Sequence, residues 1–111
     1  MNFADYQISV EKNMAKYETE REALSVWALG VAGEAGEVVD LIKKHVGMGH
    51  ELDREKLANE LADVMWYVTA LADEIGFSLE EIARMNVAKL QKRYPSGFSF
   101  ADSIARKDET K

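Results

Sequence analysis

The chain has 111 residues and a net charge of −6, with 47% hydrophobic residues, 31% charged residues and no cysteine. This length fits one domain, and the composition is typical of a folded globular protein and too hydrophobic for a disordered one. The lack of cysteine excludes disulfide scaffolds, cysteine-based zinc sites, thiol nucleophiles and iron–sulfur clusters. The N-terminus has no signal-peptide pattern, and no apolar run approaches the roughly 20 residues of a membrane span. We therefore expect a cytoplasmic protein that does not bind membranes.

Acidic and basic residues are distributed unevenly along the chain. Residues 1–83 carry 7 basic and 17 acidic side chains, whereas residues 84–111 carry 7 basic and 3 acidic ones. The acidic balance argues against a general nucleic-acid binder. The separation fits a site with a metal on one wall and phosphates on the other, and it also fits ordinary variation over a helical surface.

The hydrophobic pattern predicts an all-α chain of four helices. The first helix covers about residues 3–16. The second begins at a capping box formed by Thr19 and Glu22 and runs to about Val46, where the glycine-rich residues 47–49 end it.

The third and fourth helices are also bounded by capping signals. Asp53 is the expected N-cap of the third helix, which ends at Gly76. Ser78 and Glu81 form a second capping box, and the fourth helix ends at Tyr94, directly before the only proline.

The remaining residues, 96–111, are polar and are expected to be loosely ordered after Phe100. The sequence therefore predicts one domain over residues 1–100 and a polar C-terminal tail over residues 101–111.

The second and third helices each carry a narrow apolar seam, which predicts that they pack antiparallel at a shallow angle in a four-helix-bundle-like fold. The fourth helix has too few apolar residues to be buried alone. Because the core is small, we expect a homodimer or a larger homo-oligomer. The seam of the third helix consists of Leu57, Leu61, Val64, Val68, Leu71 and Ile75.

Two pairs of carboxylates border these seams: Glu34 with Glu37 on the second helix, and Glu60 with Asp63 on the third. Residues three apart lie side by side on a helix, so the pairs can face each other across the two helices. Four close carboxylates repel one another unless a cation lies among them, and oxygen ligands favour Mg²⁺ or Mn²⁺. Neither histidine has a glutamate three residues before it, which a di-iron bundle requires. Acidic residues on solvated helix faces are the alternative explanation.

Three glycines, Gly30, Gly33 and Gly36, lie inside the second helix, where glycine is unfavourable. No strand precedes them, and their spacing fits no phosphate-binding loop. We expect them to allow close helix packing, with close approach of a ligand to the backbone as the alternative.

Asn86 lies in the middle of the apolar stripe of the fourth helix, where a buried amide would need partners. It could fix the register of an oligomer or bind a ligand. Lys89 and Arg93 lie along or beside the same face, and two cations there favour an anionic ligand.

The carboxylate pattern resembles a known family. Glu34-x-x-Glu37, 22 intervening residues and Glu60-x-x-Asp63 are similar to the E-x-x-E…E-x-x-D signature of the MazG-like, all-α nucleoside triphosphate pyrophosphohydrolases. The surrounding segments GEAGEVVDLIKK, DREKLANELADVMWYV and NVAKLQKRYPSGFS also resemble that family, so that the resemblance covers about residues 20–100.

The resemblance implies Mg²⁺-dependent hydrolysis of a (deoxy)nucleoside triphosphate to the monophosphate and pyrophosphate, as in nucleotide-pool house-cleaning. It implies metal ligands at Glu34, Glu37, Glu60 and Asp63. Many relatives have a further glutamate before the first of these, where this chain has Gly33.

The resemblance also implies that nucleotide is bound by residues outside the carboxylate pairs. Asn86 and Lys89 would contact the nucleotide, Arg93 would lie near the phosphates, and Tyr67 would lie against the sugar or base. This resemblance leads to a hypothesis for the mechanism, in which Glu34 or Glu37 orients or deprotonates the attacking water. Lys89 and Arg93 then stabilise the departing pyrophosphate.

Two alternatives fit the same residues. The chain could be a non-catalytic acidic helical interaction module, in which case Mg²⁺ should leave its thermal stability unchanged. The same fold could instead act as a phosphoribosyl-ATP pyrophosphatase, prefer dCTP or dUTP, or hydrolyse alarmones.

Overall fold

The structure is a computed structural model that describes residues 1–109. It confirms the predicted all-α class, with one helix more than predicted among the described residues. The five helices are α1 (Phe3–Asn13), α2 (Glu20–Gly47), α3 (Arg54–Glu74), α4 (Leu79–Arg93) and α5 (Phe100–Ala105). No helix within residues 1–109 is both long and apolar enough to cross a membrane.

Local capping fixes most helix starts as predicted. The Asp53 side chain accepts a hydrogen bond from the backbone at the start of α3, and Ser78 forms a complete, reciprocal capping box with Glu81. The capping box predicted at Thr19 is only half formed. The Glu22 carboxylate accepts a hydrogen bond from the Thr19 hydroxyl and not from the Thr19 backbone amide. The first helix ends three residues early, since Met14 takes an extended backbone conformation.

The antiparallel pair of α2 and α3 forms the framework. Trp27 near the start of α2 donates a hydrogen bond to Glu74 at the end of α3, with a distance of 2.9 Å. Further along, the backbone of Gly30 lies against the Tyr67 ring. The helix α1 packs across α3, and the buried core lies where these three helices meet, at Val10, Ala23, Trp27 and Ala70.

The prediction that the chain is loosely ordered after Phe100 is wrong for the described residues, because they form the helix α5. Ser99 caps α5 by accepting a hydrogen bond from the Asp102 backbone amide. Beyond α5, Asp108 accepts two hydrogen bonds from Arg93 at 2.8 Å each, and its side chain is only 3% exposed. This long-range ion pair ties the tail to α4. Thr110 and Lys111, which the predicted tail includes, lie outside the described residues, and the domain limit at residue 100 stays a prediction.

The second half of α4 is not covered by any other part of the described chain. Leu79 is buried and Ile82 is half-buried, but every residue from Arg84 to Lys92 is exposed. The expectation of a buried Asn86 is therefore wrong for the single chain, because α4 packs on α1 and α3 only through its first turns. Its amide is exposed to solvent and needs no protein partner.

The single chain exposes more surface than a compact protein of its size. A compact monomer of 12.5 kDa exposes about 6,200 Å², whereas this chain exposes 8305 Å². Its radius of gyration is 17.2 Å, against about 13 Å for a compact domain of this length. Leu61 of the predicted seam is 52% exposed, and Val87 on α4 is 55% exposed. Apolar surface therefore remains uncovered along α3 and α4.

Candidate functional site

Three of the four predicted carboxylates meet between α2 and α3. Glu34 projects from α2, and Glu60 and Asp63 project from adjacent turns of α3. One oxygen from each lies within 4.8 Å of the other two. Glu34 and Glu60 are half-buried and Asp63 is exposed, so the cluster lies at the edge of the helix interface and is open to solvent.

The cluster is electrostatically uncompensated. Burial in the groove raises the pKa of Glu34, and the charges of Asp63, Glu60 and Glu37 raise it further. Within residues 1–109, none of the three clustered carboxylates forms an ion pair with a lysine, arginine or histidine. A cation bound among the oxygens would relieve this repulsion.

Glu37 lies beside the cluster but outside it. It is exposed, one turn after Glu34 on α2, and near enough for its charge to raise the pKa of Glu34. The structure thus joins three of the predicted ligands and leaves the fourth at the rim.

Two aromatic side chains form a wall next to the carboxylates. Trp66 and Tyr67, together with Glu34 and Asp63, line a cavity of about 350 Å³. Their rings meet edge to face, with centroids 5.1 Å apart. Tyr67 thus lies beside the carboxylates, where the resemblance implied a sugar or base contact, although that contact stays a prediction. Cavities of this size are typical of small-ligand sites.

The resemblance makes Trp66 only a weaker site candidate, as it does Trp27 and His50, and the sequence assigns no site role to Tyr6. Trp66 follows Asp63 by three residues, so its helical spacing could have indicated that it shares the cavity. The tyrosine hydroxyl of Tyr6 has its pKa raised, first by burial and then by the charge of Asp63. The sequence around Tyr6 gives no such signal, because the proximity of Tyr6 to Asp63 depends on how α1 crosses α3.

The residues predicted on α4 are not brought to the cluster within one chain. Asn86 and Lys89 are exposed, and α4 makes no contact with α2 among the described residues. Arg93 is half-buried and is bonded to Asp108, which raises the pKa of the guanidinium and lowers the pKa of that carboxyl. One chain therefore places its carboxylates and the cations of α4 apart.

Two comparisons with known proteins give a match for this chain. The family model described as MazG nucleotide pyrophosphohydrolase domain matches residues 22–98, which include all four carboxylates and the whole of α4. A protein of Mycobacterium phage L5, named Gene 37 protein, is 39% identical over 80 residues, covering 68% of this chain and 70% of the phage protein. No solved structure matches the chain. The family model matches most of the sequence, and the structure brings carboxylates from two paired helices together. The chain therefore belongs to the family of MazG nucleotide pyrophosphohydrolase domains.

Proposed function

We propose that the protein is a Mg²⁺-dependent pyrophosphohydrolase that converts a (deoxy)nucleoside triphosphate to the monophosphate and pyrophosphate. The observation that carries this proposal is the meeting of Glu34, Glu60 and Asp63, with one oxygen from each within 4.8 Å of the others. Membership of the MazG family supports the reaction class. The adjoining aromatic cavity supports a ligand with a flat ring.

The donor set fits Mg²⁺, with Mn²⁺ as the alternative. All three clustered donors are carboxylate oxygens, which hard divalent cations prefer, and the site contains no sulfur or imidazole ligand. Glu34, Glu60 and Asp63 would hold the ion, and Glu37 at the rim would complete the set. When bound, such an ion supplies charge neutralisation for the phosphates and activation of water.

The chain's own residues would share the remaining tasks. Glu34, which lies within the carboxylate cluster, would accept a proton from the attacking water. Glu37, which is exposed beside it, would orient the same water. Tyr67 would hold the sugar or base, with the Trp66 ring next to it.

We further propose that the active form is a homodimer or homotetramer. The surface of the single chain exceeds that of a compact monomer by about 2,100 Å², and stable interfaces commonly bury about 800 Å² or more per partner. A second chain could also bring Asn86 and Lys89 of its α4 to the carboxylates. Arg93 could join them only if its bonds to Asp108 were exchanged for phosphate.

Light scattering coupled to size-exclusion chromatography tests the assembly. The wild type should elute as an oligomer, and Val87→Asp should shift it towards the monomer, because Val87 is an exposed apolar residue on α4. Glu80→Gln, on the first turn of the same helix, is the matched control. A wild-type monomer at micromolar concentration would contradict the assembly.

The activity is tested by incubating the purified chain with each of the eight common NTPs and dNTPs and with phosphoribosyl-ATP, in the presence of Mg²⁺. We expect pyrophosphate release from at least one nucleotide. The double variant Glu37→Ala, Asp63→Ala should lose it while keeping its helical circular dichroism, whereas Glu55→Ala, an exposed glutamate on α3, should keep it. Retained activity in the double variant would refute the assignment.

The same panel separates the alternatives. Release from phosphoribosyl-ATP alone would make that compound the substrate. No release from any substrate, together with no effect of Mg²⁺ on stability, would favour a non-catalytic helical interaction module.

A further inference from the structure

One glycine of α2 is in contact with the aromatic wall of the site. A Cβ atom built on Gly30 would lie 2.6 Å from Cγ of Tyr67 and closer still to two other ring carbons. Ordinary contacts of this kind begin at 3.4 Å. The Tyr67 ring therefore occupies the space that any side chain at position 30 would need.

The ring cannot easily move away from such a side chain. Cγ stays in place when the ring rotates about χ2, so relief requires a change in χ1 or a separation of α2 from α3. Two further rings crowd the Tyr67 ring, since the centroid of Trp66 lies 5.1 Å from its centroid and that of Trp27 lies 6.3 Å from it. Trp27 is only 3% exposed and is hydrogen-bonded to Glu74, which fixes it in the core.

The other two glycines in the interior of α2 are in different surroundings. A Cβ atom on Gly33 or on Gly36 would meet no atom within 4 Å. Among the described residues, 1–109, the expectation that all three allow close packing is met by Gly30 alone. Since glycine weakens a helix relative to alanine, its presence at position 30 is explained by the contact with Tyr67.

We propose that Gly30 is a positioning residue, which lets the Tyr67 ring lie directly against the α2 backbone and so sets the place of the ring at the side of the carboxylate cavity. The inference rests on the proposed function, because it gives Tyr67 a nucleotide to contact. It assigns to Gly30 a role in binding, through Tyr67, that is separate from the role of the carboxylates in holding the cation.

The effect of Gly30→Ala should fall on nucleotide binding. Contacts between aromatic side chains and bases are commonly worth a tenfold change in affinity or more, so we expect KM to rise about tenfold with a smaller change in kcat. The thermal stabilisation by Mg²⁺ should be retained. Gly33→Ala is the matched control, since it makes the same chemical change one turn along the same helix, in open space.

A double-mutant cycle shows whether Gly30 acts through Tyr67. KM is measured for the wild type, Gly30→Ala, Tyr67→Ala and the double variant, and binding of the four α,β-imido dNTPs with Mg²⁺ is measured in parallel. We expect Gly30→Ala to have no further effect once Tyr67 is alanine. If Gly30→Ala does not fold while the double variant does, the clash is assigned to the Tyr67 ring.

The outcomes distinguish this inference from the proposed function. A wild type that neither hydrolyses nor binds any nucleotide overturns both. An active wild type with an unchanged KM in Gly30→Ala overturns only the role of Gly30. An equal rise in KM in the presence and absence of the Tyr67 ring also overturns it, because Gly30 would then act by another route.

Discussion

Mg²⁺ should stabilise the metal-free protein, and the size of the effect can be worked out. The repulsion among Glu34, Glu60 and Asp63 is present before a cation binds and is relieved when it does. A ligand that binds only the folded state stabilises it by about 2.7 kcal/mol at 100 times its Kd. For a domain of about this size, 1 kcal/mol shifts the Tm by roughly 4 °C or more. We therefore expect a rise in Tm of about 10 °C.

The assay is a melting curve of chelator-treated protein at increasing MgCl₂ concentration. Ionic strength is held constant with KCl, and protein concentration is fixed because the Tm of an oligomer depends on it. Asp63→Asn should lose most of the shift, since it removes one negative charge from the cluster and replaces a carboxylate oxygen with an amide nitrogen. Glu55→Gln, an exposed change on the same helix, should keep it.

Two results would refute this reasoning. One is a wild-type Tm that stays constant up to millimolar Mg²⁺. The other is an equal shift in Asp63→Asn and Glu55→Gln, because the ion would then be acting on the general acidic surface and not at the cluster.

Three further predictions concern pH, the core and the tail. Because the pKa of Glu34 is raised, the contribution of Glu34 to stability is complete below the ordinary value of 4.5 and is lost as the pH rises through the raised pKa. In the absence of metal, Glu34→Gln should therefore gain in Tm over the wild type above pH 4.5. A Tm difference that does not vary with pH would contradict this. Trp27→Ala should lower the free energy of unfolding in urea by about 3–5 kcal/mol, because Trp27 is buried, and a loss below about 1 kcal/mol would be incompatible with its place in the core. Asp108→Asn should speed amide hydrogen exchange in α5, because it weakens the pair with Arg93. Arg93 lowers the pKa of Asp108 in the folded state, so the difference from wild type should shrink progressively as the pH falls from 3.8 through that lowered pKa. Unchanged exchange would show that the pair does not hold the tail.

The features predicted correctly from the sequence depend on neighbours along the chain. The caps at Asp53 and Ser78 involve residues three positions apart, so their signal is local. The carboxylate cluster needed one further step, the antiparallel pairing of two helices, and the apolar seams supplied it. The sequence could therefore predict that Glu34 lies close to Glu60 and Asp63.

The features that were missed depend on where whole helices lie. Asn86 occupies an apolar stripe, but burial of that stripe requires a helix to cover it, and the described chain provides none. The tail is ordered through a pair between Arg93 and Asp108, which composition alone does not reveal. The proximity of Tyr6 to Asp63 follows from the crossing of α1 over α3, which no spacing in the sequence specifies.

The separation of charge in the fold sets an order for binding. A triphosphate that approaches the cluster alone meets like charge from Glu34, Glu60 and Asp63, and no cationic side chain of the described residues pairs with them. Nucleotide binding by one chain should therefore require a divalent cation. Lys89 could supply positive charge only if a second chain brought its α4 to the cluster. Nucleotide binding in the absence of any divalent ion, if it were lost in Lys89→Ala, would indicate that α4 of a partner chain reaches the carboxylates.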